Sequence, residues 1–148
     1  AKERLTKFDR ELEAFRTRAR GRPEKTILLQ VGEDPVVVAA GNTYLNEGLE
    51  ILGLRNIYPD PKQTYPRVAI EDVLRRRPEI IILVGMGADR KKFERAADKW
   101  RKFPQLAARE EKPATYVSLL WSDALVRPGP RFPEGLADLE NAVFGRAR

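Results

Sequence analysis

This chain has no cysteine and no histidine. Without cysteine there is no disulfide, no thiolate nucleophile and no zinc–cysteine site. Without histidine, triads built on imidazole, histidine-ligated metals and imidazole acid–base chemistry are excluded too. Long apolar runs are also missing. None approaches the ~20 residues that a membrane-spanning helix needs. The start of the chain is charged and amphipathic and does not read as a signal peptide. A secreted chain that had already been processed or cut down would look the same. There is no internal repeat and no low-complexity segment.

What is present fits one folded domain. The 148 residues are enough for a sizeable core. Hydrophobic residues at 42% against charged residues at 34% give a globular balance rather than a disordered one. The formal net charge is +6. Basic residues are dispersed and mixed with acids, so the charge reads as a solvated surface, and no nucleic-acid partner is expected. Arg75, Arg76 and Arg77 fit a helix C-terminus, where cations meet the negative end of the dipole.

Periodicity then orders the chain. Leu5, Phe8, Leu12, Phe15 and Ala19 recur at steps of three and four, which predicts a helix over Ala1–Ala19 with a narrow apolar stripe. Gly21 and Pro23 end it. Thr26–Val31 reads as a strand, Gly32–Pro35 as a turn and Val36–Ala40 as a second short strand. Asn42 or Thr43 caps a helix carrying Leu45, Leu49 and Leu52, and Gly53 stops it. Asn56–Pro66 reads as a loop. A short helix over Ile70–Arg77 stops before Pro78, and Glu79–Val84 is an apolar strand buried on both faces. Arg90–Lys102 is a helix, Thr115–Leu119 a third core strand and Arg131–Phe144 mostly a final helix. Such alternation predicts an α/β domain, a mainly parallel sheet sandwiched by helices.

In an open parallel sheet, ligands collect at the carboxyl ends of the strands. That rule nominates the loops Gly32–Val37, Gly41–Tyr44, Gly85–Arg90 and Leu120–Arg127, with Tyr65 able to reach the same rim. Two readings stay open at Tyr44, stacking on a flat ligand or packing beside a helix cap. The same choice stands at Trp121, between ligand and core. Gly85-Met-Gly87-Ala-Asp-Arg90 lacks the third glycine of a dinucleotide fingerprint, so a nucleotide reading is rejected. Arg127-Pro-Gly-Pro-Arg131 is a rigid turn that serves either as a plain connection or as an anchor at a ligand rim. Glu71 stands in the first turn of its helix, where its charge suits the dipole.

Taken in order, these segments resemble the C-terminal lobe of the ABC-transporter substrate-binding proteins for vitamin B12, iron-siderophores and haem. The resemblance rests on Thr26-Ile-Leu-Leu-Gln-Val-Gly32, on Ala40-Gly-Asn-Thr-Tyr-Leu45, and on Leu49 through Gly53 with Asn56. Next come Tyr65-Pro-Arg-Val-Ala-Ile-Glu-Asp-Val-Leu74 and Pro78-Glu-Ile-Ile-Ile-Leu-Val-Gly85. Trp100, Phe103-Pro104 and Arg127-Pro-Gly-Pro-Arg131 close the series. No single motif is decisive, but the ordered set covers nearly the whole chain.

The resemblance implies a non-enzymatic, two-lobed protein, periplasmic or lipid-anchored outside the cytoplasm. Residues 1–22 would be the interlobe connector helix and 23–148 the C-terminal lobe, the N-terminal lobe being absent from this chain. A cobalamin or ferric-siderophore ligand would lie between the lobes. Haem is a weaker fit without histidine, although Tyr44 or Tyr65 could ligate iron. The ligand wall would draw on Pro35, Val37, Asn42, Thr43, Tyr44, Tyr65, Gly85, Met86, Trp121 and Arg127. Glu71 occupies the position of the glutamate that docks on the membrane permease, which works with its ATPase. No cofactor is required and no metal is held directly by the chain. Two departures are visible: Ala69 stands where the family often has serine, and the basic surface is not a family trait. The competing classes are a stand-alone α/β enzyme domain acting on a nucleotide or sugar, and a basic nucleic-acid module.

Overall fold

The computed structural model describes residues 6–85, 89–127 and 129–145. Its first helix, α1 (Lys7–Ala19), begins at a capping box. The Asp9 N–H donates to the Thr6 hydroxyl at 3.0 Å, and the Thr6 N–H donates back to the Asp9 carboxylate at 3.4 Å. Two orphan donors of the first turn are thereby satisfied. Arg16 and Arg18 in the last turn complement the dipole. The expected start of this helix, with Leu5 of its stripe, lies outside the described residues.

A five-stranded sheet follows. Strand β1 (Lys25–Glu33) runs through its middle. Ile27 pairs with both Asn56 and Ile80, and Gln30 with both Val38 and Leu83. Strand β4 (Ile80–Gly85) therefore lies parallel on one side of β1. The other side is shared by β3 (Leu54–Asn56), parallel, and β2 (Val36–Val38), antiparallel. Strand β5 (Tyr116–Trp121) pairs in parallel with β4 along its whole length.

Several elements differ from the sequence reading: β1 runs on to Glu33, through part of the expected Gly32–Pro35 turn, and a short helix, Asp123–Val126, falls in the expected Leu120–Arg127 loop. The second strand is shorter than Val36–Ala40: Ala39 still donates to the Leu29 carbonyl of β1, but Ala40 donates to Thr64 instead. β3 falls at the edge of the expected loop; with only three residues it carries no period of its own. β5 extends to Trp121 rather than stopping at Leu119, because Gly85 still offers it a partner.

Strand β4 explains the layering. Its side chains alternate between two cores, both fully buried. Ile80, Ile82 and Val84 join Ile27, Leu29 and Leu120 on one face. That face is covered by α1, α2 (Tyr44–Ile51), the short α5 (Asp123–Val126) and α6 (Phe132–Phe144). Ile81 and Leu83 join Leu28, Val38 and Val117 on the other. There α3 (Ile70–Arg76) and α4 (Arg90–Arg101) supply Val73, Phe93, Ala97 and Trp100. Each buried valine, leucine, isoleucine or phenylalanine among them contributes about 1.5–3 kcal/mol by leaving water.

Few polar groups are buried, and they are spent on positioning. Gln30, 1% exposed, accepts from Trp100 Nε1 at 2.7 Å and donates to the Gly32 carbonyl at 3.0 Å. Asn56 donates to the Ala39 carbonyl at 2.9 Å and to Asn46 at 3.1 Å, and accepts from the Tyr58 N–H. That knot ties the end of β3 to the chain leaving β2. Gly41 continues along this line beneath the 59–60 backbone. A Cβ at Gly41 would run into the Pro59 carbonyl and stand 2.7 Å from the Asp60 oxygen, so only glycine fits.

α1 is fastened to the lobe by a clip. Arg18 donates from Nε and Nη2 to Glu140 on α6, at 2.9 and 3.0 Å. Arg22, just past α1, donates to the same carboxylate at 3.0 Å and lies 4.0 Å from the centre of the Phe144 ring.

Candidate functional site

At the carboxyl ends of β1, β4 and β5 the sheet opens into a groove of about 490 Å³. Val31, Val84, Gly85 and Trp121 form its floor, with Gly85 and Trp121 the last residues of β4 and β5 and Val31 two before the end of β1. Val37 of β2, Tyr44 and Leu45 of α2, Tyr65, and Asp89 with Phe93 of α4 complete the walls.

Each aromatic is held by something specific. Tyr44 starts α2 directly after its cap, and its ring meets Phe132 edge-on at 5.9 Å. Tyr65 comes from the long connection after β3. That connection runs beside residues 38–42, where Ala40 donates to the Thr64 carbonyl at 2.8 Å and Asn42 to the Gln63 carbonyl at 2.9 Å. The strip brings Tyr65 to the groove and leaves it 45% exposed. Trp121 packs over Gly85, where a Cβ would stand 2.8 Å from its ring atoms Cη2 and Cζ3. Phe93 meets the same indole edge-on at 5.2 Å. The glycine at the end of β4 thus allows the tryptophan to lie flat at the groove floor.

Burial raises the pKa of the Tyr44 phenol, and neighbouring Tyr65 raises it further; burial also raises that of Tyr65. Both phenols therefore stay neutral near neutral pH and offer O–H groups. The groove is mainly apolar, with a few polar tips, as small-molecule sites commonly are.

Of the ten ligand-wall residues named from the sequence, Val37, Tyr44, Tyr65, Gly85 and Trp121 come together in this groove. Thr43 is buried and its hydroxyl is spent on α2: it accepts from the Asn46 N–H at 3.0 Å and donates to the Ala40 carbonyl at 2.8 Å. Asn42 is exposed beside it and does not line the groove. Pro35 borders a separate hollow with Val68, Ile70 and Lys99. Arg127 is exposed just past α5, away from the groove lining. Met86 lies outside the described residues. Sequence reasoning left out Val31, Leu45, Val84, Asp89 and Phe93; the strand-end rule pointed at this rim without selecting side chains that are mostly plain core formers.

Glu71 stands elsewhere, exposed on α3, and makes no hydrogen bond or ion pair among the described residues. Its neighbour Asp72 is fully engaged. It accepts from the Tyr58 hydroxyl at 2.7 Å, from Arg76 at 2.7 Å and from Arg75. The Tyr58 hydrogen bond leads in holding Asp72 below the usual carboxylate range; burial opposes it, and Arg76 and Arg75 add to the lowering. Among the described residues, no group of three or more acidic side chains gathers that could hold a metal ion.

A layered lobe with an aromatic groove at the ends of parallel strands is the build of one half of a periplasmic binding protein. The chain belongs to the periplasmic binding protein family, whose pattern matches residues 1–109. It is 36% identical over 107 residues to a vitamin B12-binding protein of Photorhabdus laumondii, a match covering 72% of this chain and 34% of that protein. Among solved structures, the periplasmic vitamin B12 binding protein of Vibrio cholerae is 25% identical with a TM-score of 0.66, over 91% of this chain and 51% of the other. An ABC transporter substrate-binding protein from Listeria monocytogenes shares the fold with a TM-score of 0.74 at 16% identity, over 93% of this chain and 54% of its own. The chain thus spans about half the length of these solved relatives and about a third of the curated one.

Proposed function

We propose that this chain is the C-terminal lobe of an ABC importer's substrate-binding protein, working outside the cytoplasm. It supplies one wall of a cleft that captures a large metal chelate, cobalamin or a ferric siderophore, with haem a third option. The observation that carries this reading is the convergence of Tyr44, Tyr65, Gly85 and Trp121 on one groove at the strand ends. Flat aromatic surfaces with neutral O–H tips suit a broad ligand with amide or hydroxamate edges. The names of the relatives support the same ligand classes: two bind vitamin B12, and a structural neighbour belongs to an iron-hydroxamate transport system.

In this reading α1 is the second half of the interlobe helix, and the clip at Glu140 fixes its direction on the lobe. The second wall comes from an N-terminal lobe. Glu71, exposed and unengaged, is the permease contact; as an isolated surface charge it is worth little, but in a docking pocket it sets orientation.

The test is a binding titration of the chain joined to an N-terminal lobe, against cyanocobalamin and a ferric hydroxamate. Binding at micromolar or tighter is expected, with the 148-residue chain alone binding far more weakly. No binding by the joined form would overturn the proposal. Glu71→Arg should leave the titration unchanged and abolish uptake in cells; normal uptake would remove Glu71 from the docking role.

A further inference from the structure

The groove has an uneven charge. Among the described residues that line it, Asp89 is the one charged side chain, and no lysine or arginine is among them. The neighbouring residues 86–88 are Met, Gly and Ala, which carry no charge. This is unexpected in a chain with six more basic than acidic residues, 28 against 22.

Asp89 also sits where an anion would otherwise be welcome. It is the N-cap residue of α4, a twelve-residue helix whose positive dipole end faces the groove rim. No acid stands in the first turn of that helix, and the Asp89 carboxylate makes no capping bond. Nor does it make any other hydrogen bond or ion pair among the described residues. Only its backbone carbonyl is used, by the Lys92 and Phe93 N–H groups. The carboxylate is therefore free to meet a ligand and places negative charge at the helix start. Arg90, next in the chain, does not line the groove. It lies 5.7 Å from the centre of the Trp121 ring and donates to Glu94 at 3.4 Å, an exposed pair that offsets its charge only in part.

The geometry points to Asp89 as a charge filter: this wall accepts neutral or cationic chelates and disfavours anionic ones. The inference rests on the binding-lobe reading above and narrows it. A corrinoid or a ferric trihydroxamate, neutral or singly cationic, suits the wall. A triply anionic ferric tris-catecholate, or haem presenting its propionates, meets the Asp89 carboxylate at this wall, with the nearest cation, Arg90, against Trp121 and outside the described lining. Long-range attraction from the basic surface is largely screened by salt beyond about 10 Å, and contact at the groove is screened less.

The test uses the chain with only two tryptophans, so each indole N–H is followed by NMR. Probes are cyanocobalamin, a singly cationic gallium trihydroxamate and a triply anionic gallium tris-catecholate; gallium keeps the ferric charge without paramagnetic broadening. The first two should shift the Trp121 indole at lower concentration than the third. Asp89→Asn should tighten the tris-catecholate several-fold and move cyanocobalamin much less, and Asp89→Lys should tighten the tris-catecholate by about tenfold or more. Asp89 is exposed and makes no side-chain bond, so Asp89→Asn should melt close to the parent, while Asp89→Lys, a cation at the positive end of the α4 dipole, should lower Tm slightly and leave the chain folded. Tris-catecholate binding the parent as tightly as cyanocobalamin would overturn the filter and leave the binding lobe standing. So would a preference that Asp89→Lys does not move. If no chelate of any charge shifts Trp121, either in this chain or in the form joined to an N-terminal lobe, the binding-lobe reading falls and the filter falls with it.

Discussion

Replacing Glu140 by glutamine removes the charge that holds Arg18 and Arg22 against α6. The consequence can be worked from the geometry. Breaking a buried ion pair costs roughly 3–5 kcal/mol, because a charge is left without compensation. An exposed pair is worth about 0–1 kcal/mol. The Glu140 side chain is 15% exposed and that of Arg22 25%, which lie nearer the first case; Arg18, at 47%, lies nearer the second. Arg22 also has one buried nitrogen, Nη1, that makes no hydrogen bond. A loss of about 2 kcal/mol is expected, which for a domain of this size lowers Tm by roughly 4–8 °C.

The same carboxylate gives a sign for pH. Burial works to raise the Glu140 pKa, but hydrogen bonds from Arg18 and Arg22, and their charges, outweigh it and leave it lowered. A carboxylate with a lowered folded pKa stabilises fully above its unfolded value, near about 4.3. That contribution is lost as pH falls through the folded value. The gap in Tm between parent and Glu140→Gln should therefore be complete at neutral pH and close as the solution is acidified below about pH 4. Thermal melts followed by circular dichroism measure both. A gap below about 1 °C at neutral pH, or one that stays constant into acid, would refute the reasoning.

Two further substitutions probe how the groove is held. Gly41→Ala forces the 59–60 backbone away and should cost about 1–3 kcal/mol in a denaturant melt, whereas an unchanged midpoint would mean the loop yields freely. Trp100→Phe leaves the buried Gln30 carbonyl oxygen unpaired and should cost about 1–3 kcal/mol beyond lost packing. Adding Gln30→Met should recover part of that loss, and strictly additive melts would show that the pair is not coupled.

The fold was legible where the pattern was long. The unbroken apolar run Ile80–Val84 marks a strand buried on both faces, and its alternate residues do divide between two cores. The stripe ending in Phe15 and Ala19 marks a helix that needs a cover, which α2 and α6 provide. Short pieces were not legible. Leu54–Asn56 is a strand only because Lys25–Ile27 lies beside it, a long-range pairing that no local signal carries. The strand-end rule placed the rim of the groove correctly in space, since Val31, Gly85 and Trp121 all meet there. It could not tell which side chains of each loop face inward. Asn42 and Thr43 follow a glycine and look like ligand contacts, yet the hydroxyl of Thr43 is consumed as a cap. Asp89 looks like an ordinary helix start, and only the groove around it gives its charge a possible task.

The most direct test of the central claim is an amide and indole NMR titration of this chain with cyanocobalamin. The account predicts shifts concentrated at Trp121, Gly85, Tyr44 and Tyr65. Shifts confined to the opposite end of the sheet, around Lys25, Arg77 and Lys112, or none at saturating ligand, would contradict it.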